Sequence, residues 1–387
     1  RIIVILNKLL RYFLLGCTMP IISSDENEYS PGLANELIQR FKWEFGLFLD
    51  SEYSEEPSWL VSSSAFNRWF ELLQENLELN LGRRLAHAAA DSEEFRLQTV
   101  QRPSGLFGIN KKSLNLVNKD WRIRGLGTLK VPSKPFKLSK LDVEVHGRLQ
   151  SSFSSGLANA AWEWVVKRRH RFRWEDRGKD IAIVHLEEDD IDVAKPKKIT
   201  PLWSLSPTEI SHIQKNPLSK PFELPFGGWD LMGERHVILH QDFILRFVKN
   251  VTTYASESAE VGELVDYSVF DISETESRVW KAIAKSSCDL FREGGELFMV
   301  AEPEHWIDAS QAELVDHGLG AVKSSKAIDK HGGVELEFSS LFHPAIVTGV
   351  LLGCWSRTEG RDGKATWNES NGQLSLILCS KSVIAGD

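Results

Sequence analysis

The stretch Gly349-Val-Leu-Leu-Gly-Cys-Trp355, followed by Trp367, sets the organisation of this chain because it occurs twice. Gly156-Leu-Ala-Asn-Ala-Ala-Trp162, followed by Trp174, has the same spacing, and each matched position differs by 193 residues. This offset is almost half of the 387-residue chain. A period of that length matches a small domain and not a solenoid repeat of roughly 20–50 residues. The sequence therefore predicts a tandem duplication of one domain.

Both copies are predicted to end in a strand, a helix and a hairpin. In the second copy, Leu336 and Phe338 alternate with Glu337, which is the period of a half-buried strand. Apolar residues at helical spacing follow in segment 346–354, and the polar turn that contains Gly372 suits a hairpin. The first copy shows the same order of patterns, so two domains of the α/β (α+β) class are expected.

The repeat and the charge pattern together predict the domain bounds. Residues 30–190 are expected to form the first repeat domain, and residues 230–387 the second. The acidic and then basic run after residue 187 indicates a linker at residues 191–229. A capping box at Ser206-Pro-Thr-Glu209 predicts a short helix within that linker.

The N-terminal region carries two further expectations. Residues 1–29 are predicted to be disordered or translated from upstream sequence, with Met19 as the true start. Charged residues interrupt its apolar run, so no transmembrane segment is predicted. The stretch from Pro31 to Asp50 is predicted to be one helix, because its leucines and phenylalanines follow one helical stripe.

Composition narrows the class of protein. A net charge of −8 argues against a general nucleic-acid binder, which needs a basic footprint. The four cysteines form no close pair, which favours a reducing compartment and a cytoplasmic protein. Thirteen tryptophans against five tyrosines indicate large cores or, alternatively, cavities with aromatic walls.

No motif in the chain dictates a reaction. The sequence contains no Gly-x-Ser-x-Gly, no phosphate-binding Gly-x-x-x-x-Gly-Lys-Ser/Thr and no His-Glu-x-x-His. His236 and His240 are four residues apart, but metal ligation would need at least a third ligand. We therefore predict no catalytic residue and no metal site, the sequence identifies no cofactor, and binding is expected over catalysis.

The sharpest charge feature is a basic run before Trp174, made of Lys167, Arg168, Arg169, Arg171 and Arg173. Such a run predicts contact with an anionic ligand or an acidic protein partner. The alternative is a solvated corner between a helix and a strand. The matching corner of the second copy mixes basic and acidic residues, so an anion site is expected in the first copy.

The end of the chain, Phe342-His-Pro-Ala-Ile-Val-Thr-Gly349 with residues 363–367 and 372–378, resembles a 4-vinyl-reductase-like domain. It is also similar to TRAPP transport-complex subunits, in the ligand-binding superfamily shared with haem NO-sensing domains. Gly349 and Gly156 match the glycine of the family's last helix. The resemblance implies helices packed on an antiparallel sheet, an apolar pocket for a small molecule, and association in pairs. Two fused copies would then form a pseudo-twofold internal dimer.

This resemblance sets the functional expectation, which is binding or sensing of a small apolar or aromatic molecule. The candidate ligand contacts are the four repeated tryptophans and one histidine: Trp162, Trp174, Trp355, Trp367 and His343. Three alternatives stay open. The tryptophans can be core residues, the protein can be an enzyme or accessory factor in tetrapyrrole-like metabolism, or it can be a non-enzymatic scaffold or interaction protein.

Overall fold

The computed structural model describes residues 29–103, 111–132, 137–191, 193–205, 215–258, 262, 264–295 and 298–382. Apart from Tyr29, the predicted disordered N-terminus lies outside the described residues, and so do residues 206–209, where the linker helix is predicted to begin. Within the described ranges, no helix is long and apolar enough to cross a membrane.

The described residues form nine α-helices and fifteen strands, which confirms the predicted α/β (α+β) class. The helices are α1 (Pro31–Arg40), α2 (Ser63–Leu77), α3 (Gly82–Thr99), α4 (Lys111–Arg124), α5 (Ser151–Val166), α6 (Gln241–Thr252), α7 (Glu274–Gly294), α8 (Trp306–Ala309) and α9 (Pro344–Glu359). The strands are β1 (Phe41–Glu44), β2 (Leu47–Asp50), β3 (Glu56–Ser62), β4 (Thr128–Lys130), β5 (Lys140–His146), β6 (His170–Arg177), β7 (Ile181–Glu188), β8 (Phe222–Leu224), β9 (Gly228–Leu231), β10 (Glu234–His240), β11 (Val265–Asp266), β12 (Gly320–Ala327), β13 (Val334–Leu341), β14 (Gly363–Ser370) and β15 (Gln373–Ser380).

We call residues 29–191 the first half and residues 215–382 the second half. The central sheet has six strands in the order β1-β2-β3-β10-β9-β8, three from each half. β3 and β10 pair antiparallel at its centre, where Leu60 lies opposite Ile238. The main hydrophobic core also contains side chains from both halves. The halves therefore share one sheet and one core.

The two outer sheets repeat one another. The first half contributes the order β4-β5-β7-β6, and the second half contributes β12-β13-β15-β14 with the short β11 added at its edge. Helices α5 and α9 begin 193 residues apart and end 193 residues apart, as do strands β6 and β14. This recurrence of order and spacing is what a duplication predicts. The duplication itself remains an inference.

The repeated glycine has a packing reason in both halves. Gly156 of α5 lies against α3, and a β-carbon there would collide with the carbonyl oxygen of Ala86. Gly349 of α9 lies against α7 in the same way, at the carbonyl oxygen of Ala284. Only a residue without a side chain permits this approach of two helix backbones. The repeated glycine therefore marks a close contact between two helices in each half.

The helix predicted from Pro31 to Asp50 is wrong in its second part. It ends at Arg40, and the hairpin of β1 and β2 follows. Phe45 and Gly46 have φ values of 55° and 77°, in the left-handed region that a tight hairpin turn requires. Phe41 is fully buried in the first strand of this hairpin. The spacing of apolar residues in this segment is compatible with a helix and with a hairpin, so the spacing did not distinguish the two structures.

Part of the segment predicted as linker is structured. Residues 222–229 lie inside the predicted linker 191–229, yet they form β8 and the first two residues of β9 at one edge of the central sheet. Pro221 and Pro225 indicated irregular structure, but they flank the three-residue β8 and do not interrupt it. Proline is tolerated beside an edge strand because no central ladder bond is lost there.

Replacing the repeated glycines should destabilise the protein. We expect Gly156→Ala and Gly349→Ala each to lower the free energy of unfolding by about 1–3 kcal/mol, since the added methyl group forces the two helices apart. Urea denaturation followed by circular dichroism measures the change. The matched control is Gly32→Ala in α1, where a β-carbon meets nothing within 4 Å. That variant should gain about 0.5–1 kcal/mol. A Gly156→Ala protein as stable as Gly32→Ala would contradict the packing explanation.

Candidate functional site

The tryptophans predicted as ligand contacts lie mostly in the core. Trp162, Trp355 and Trp367 are buried, whereas Trp174 on β6 is half-buried. The indole N–H of Trp355 donates to the carbonyl of Gly332 at 2.7 Å, and that of Trp367 donates to the hydroxyl of Thr348 at 2.8 Å. Neither of the two cavities described below is lined by these side chains. Their role in ligand binding stays a prediction.

His343 occupies the N-cap of α9. Its Nδ1 accepts a hydrogen bond from the backbone N–H of Ala345 at 3.2 Å. Burial lowers the pKa of the ring to about 3, so the imidazole is neutral at physiological pH. Because Nδ1 is the acceptor, the proton lies on Nε2. Among the described residues, Nε2 has no hydrogen-bond partner.

The largest group of titratable side chains lies where α1, β2, α3, α4 and β10 meet. We call it the ionic cluster, and it comprises Arg40, Asp50, Glu93, Arg96, Asp120, Arg124 and His240. Arg40 bridges two carboxylates, at 2.7 Å from Asp50 and 2.8 Å from Asp120. Glu93 accepts hydrogen bonds from Arg96 at 2.7 Å and from Arg124 at 2.8 Å. His240 Nε2 lies 2.9 Å from Asp50.

The electrostatics of the ionic cluster are those of a structural element. Burial opposes ionisation of Asp50, but hydrogen bonds from His240 and Arg40 outweigh it and hold the pKa of that carboxyl well below its usual range. Burial lowers the pKa of His240, which therefore donates to Asp50 as a neutral ring. The side chains of Asp50 and Glu93 are 0% and 1% exposed. Such a sealed and mutually paired network positions backbone elements and leaves no open face for a substrate.

Glu56 lies near this cluster and behaves differently. Burial, the largest cause, raises the pKa of Glu56 to about 7, although its Oε1 accepts the backbone N–H of Asp242 at 2.8 Å. The negative charge of Asp242 raises the pKa further. Glu56 therefore titrates near neutral pH in the folded protein, whereas the unfolded chain ionises it near the ordinary value of 4.5.

The predicted basic run divides into two groups in the structure. Lys167 ends α5, and Arg168 and Arg169 lie in the corner before β6. Arg171 and Arg173 alternate on the exposed face of β6. Arg169 is a structural residue, because it pairs with Glu94 and Glu163, each at 2.7 Å. The five residues therefore do not form one continuous surface.

The corner residues line an open cavity of about 470 Å³ between α3 and α5, which we call the basic notch. Its basic side chains are Arg102, Lys167, Arg168, Arg169 and Lys195, against two carboxylates, Glu94 and Glu163. Leu97 and Trp164 supply an apolar part of the wall. Sequence reasoning missed Arg102 and Lys195, since no local pattern connects them to the run at 167–173.

Arg102 is the arginine of the basic notch that forms no ion pair with a carboxylate of the described residues, whereas Arg168 pairs with Glu188 and Arg169 with Glu94. Its Nη2 donates to the backbone carbonyl of Val165 at the end of α5. Its Nε and Nη1 are enclosed and make no hydrogen bond to the described residues. Arg102 as a whole is half-buried. Enclosed N–H groups without an acceptor are costly, and an incoming anion would lower that cost.

The second half has a smaller cavity at the equivalent place. It has a volume of about 250 Å³, between α7 and α9. When Ala86 is matched with Ala284, Arg292 stands where Glu94 stands in the first half. Arg292 pairs with Asp362 at 2.6 Å, so the ion pair between helix and corner recurs with its charges exchanged. The two corners have the same geometry and different charge.

Comparison with known proteins gives no match at any level. No protein-family model matches the chain, and no similar curated protein or solved structure was found. The resemblance to 4-vinyl-reductase-like domains and TRAPP subunits therefore stays a prediction.

Removing the titration of Glu56 should change how stability depends on pH. A carboxyl whose folded pKa is raised loses stability as the pH rises from its unfolded pKa to its folded pKa. We therefore expect Glu56→Gln to gain about 1–3 kcal/mol relative to the wild type between pH 5 and pH 7.5. Urea denaturation at four pH values measures this gain. Glu71→Gln, at an exposed position on α2, is the control and should follow the wild-type curve. Parallel curves for Glu56→Gln and wild type would contradict the raised pKa.

Proposed function

We propose that this chain is a binding protein that takes an acidic protein partner, whose carboxylates enter the basic notch. The observation that carries the proposal is the enclosed guanidinium of Arg102, which has no carboxylate partner among the described residues. Around it, five basic side chains face two carboxylates in the notch. A bound carboxylate would offset the excess positive charge of the notch. The attraction is stronger at the enclosed nitrogen atoms of Arg102, because water screens it less there.

The shape of the basic notch favours a peptide over a free ion. A volume of about 470 Å³ is larger than one carboxylate needs, and it falls within the usual range for binding sites. Leu97 and Trp164 offer apolar contacts beside the charges. At the rim, the side chain of Arg168 is 50% exposed and reaches solvent. These features suit an acidic segment that also carries an apolar side chain.

A small aromatic ligand, expected from the resemblance, is the second candidate function. The observation that favours it is the buried Nε2–H of His343, which has no partner among the described residues. The enzymatic alternative in tetrapyrrole-like metabolism has no such observation in its favour. We therefore favour a binding function over an enzymatic one.

Charge reversal at the basic notch should weaken binding of an acidic peptide. The probe is a fluorescein-labelled peptide of four glutamates around one leucine, and fluorescence anisotropy measures its affinity at 50 and 200 mM salt. We expect Lys167→Glu with Arg168→Glu to lower the affinity by about tenfold or more. Salt should weaken wild-type binding as well, since it screens exposed charges. Arg169 is left intact because its substitution would break the part-buried pairs with Glu94 and Glu163. Arg168 pairs with Glu188 at 3.0 Å, but this pair is exposed and its loss costs little stability.

The matched control is Arg171→Glu with Arg173→Glu, which changes the net charge equally on the exposed face of β6. It should leave the affinity within about twofold at 200 mM salt, where the screening length is below about 10 Å. Equal losses in both double variants would show a general charge effect and contradict a site in the notch.

Removing the guanidinium of Arg102 should separate binding from stability. Arg102→Met keeps an unbranched apolar stem and removes the charge, so we expect the free energy of unfolding to change by less than about 1 kcal/mol. Binding of the same peptide should fall by about tenfold, because the central counter-charge is lost. An unchanged affinity would contradict the proposal that a carboxylate of the partner binds at Arg102.

A further inference from the structure

The connection between the two halves carries one buried anchor. Residues 193–205 have no regular secondary structure, and Trp203 is the one buried side chain among them. Trp203 is 8% exposed, whereas its neighbour Leu202 is 56% exposed. A large aromatic side chain therefore inserts into the second half from an otherwise surface-bound segment.

The two ends of this segment are held differently. Over residues 193–197, three side chains donate to its backbone carbonyls: Arg169 and Gln98 of the first half to Val193 and Pro196, and Arg246 of the second half to Lys197. Within residues 199–205, the indole of Trp203 makes the one hydrogen bond found to the described part of the chain. Its Nε1–H donates to the carbonyl of Leu341 at 3.0 Å. Trp203 therefore supplies the hydrogen bond and the buried side chain that attach this end of the segment, beside the partly buried Leu205.

Aromatic rings and one carbonyl form the pocket that Trp203 fills. The ring of Trp203 lies 5.9 Å from Trp280 at an interplanar angle of 82°, and 5.1 Å from His343 at 74°. Trp280 and His343 contact each other at 5.0 Å. Leu341 supplies the backbone acceptor. We call this set the aromatic pocket: Trp280, Leu341 and His343.

Two polar groups of the aromatic pocket, Nε2 of His343 and the indole Nε1 of Trp280, make no hydrogen bond to the described residues, and Trp203 satisfies neither. The Nε2–H of His343 is buried and finds no acceptor among the described residues. The indole of Trp203 has one N–H and no acceptor atom, so it offers this donor only the face of a ring. An unsatisfied buried donor lowers stability, and a ligand that accepts its hydrogen bond would gain affinity from it.

We propose that the aromatic pocket is a binding site for a planar bicyclic lactam, a benzene ring fused to a ring that carries an N–H donor and an adjacent carbonyl. In this proposal, Trp203 occupies the site until the ligand displaces it. The ligand N–H would donate to the carbonyl of Leu341, as the indole does. The ligand carbonyl would accept from Nε2–H of His343, which the indole does not, and the ring would lie against Trp280. The site is separate from the basic notch and does not rest on the acidic-partner proposal.

Oxindole is the probe, because it has both an N–H and a carbonyl, and indole is its matched control without the carbonyl. Full-length protein labelled with ¹⁵N-tryptophan is titrated with each probe. The Nε1–H resonance of Trp203 is assigned by its loss in Trp203→Phe. Isothermal titration calorimetry gives affinities for the wild type, Trp203→Gly, and Leu202→Gly as the control on the same segment.

We expect oxindole to move the Trp203 resonance of the wild type to a solvent-exposed position with faster hydrogen exchange. Trp203→Gly should bind oxindole at least about tenfold more tightly than the wild type, because no side chain competes. Leu202→Gly should match the wild type. Oxindole should bind about tenfold more tightly than indole. His343→Asn keeps a capping acceptor for α9, removes the Nε2–H, and should erase that preference.

The wild-type spectrum decides between a natural site and a cavity made by substitution. If Trp203→Gly binds oxindole while the Trp203 resonance of the wild type stays unchanged up to the solubility limit, the pocket exists only in the variant and the proposal is overturned. Folded Trp203→Gly that binds neither probe would overturn it as well. Should that variant fail to fold, an unchanged wild-type spectrum with oxindole still rejects the proposal.

Discussion

The antiparallel pairing of β3 with β10 is the contact on which the rest of the structure depends. It joins two three-stranded pieces into one sheet, with Leu60 opposite Ile238 at the middle. The helices that follow these strands then reach across the junction. The Trp69 indole on α2 donates to Ser287 of α7 at 3.1 Å, and Asn76 donates to Ser286 at 3.0 Å. Each half thus completes its core with helices of the other, and neither half buries its apolar surface alone.

The ionic cluster stabilises this junction from one side. Asp50 ends β2 of the first half, and it accepts from both Arg40 and His240, which ends β10 of the second half. Removing one member of such a sealed network would leave a buried charge without its partner, which costs about 3–5 kcal/mol. The cluster therefore sets the relative position of α1, β2 and β10 more than it adds stability. Its composition resembles that of a catalytic centre, but its geometry is that of a closed structural joint.

The two halves share a framework and differ in what they expose. The glycine-mediated contacts of α5 on α3 and of α9 on α7 are equivalent, and they bring a helix end and a strand corner together in each half. In the first half, that corner is basic around Arg102. In the second half, the corresponding ion pair of Arg292 and Asp362 has exchanged charges and the cavity is smaller. The connecting segment contacts both halves, through Val193 at Arg169 and through Trp203 at Leu341. The two corners therefore occupy equivalent places in the fold, and they differ in the side chains that line them.

The sequence by itself determined the repeat, its period and the order of its last elements. Gly156 and Gly349 were visible in the sequence because helix contact without a β-carbon tolerates no other residue, and alternation over 334–338 marked β13 because burial on one face has a local period. Local patterns of this kind depend on neighbours within a few residues. They did not separate a helix from the β1–β2 hairpin at 41–50, since Phe41 is buried in either.

Only the tertiary structure decided how distant residues meet. Leu60 and Ile238 pair across 178 residues, and Arg102 joins Lys167 in one notch, because chain topology brings them together and no local period records that. The same reason explains why the basic run at 167–173 was seen as one feature. Strand alternation turns Arg171 and Arg173 to the exposed face of β6, while the corner before the strand turns Lys167 and Arg168 into the notch. The charges of these side chains follow from the sequence alone. The surface that each side chain faces depends on the packing of α3 against α5.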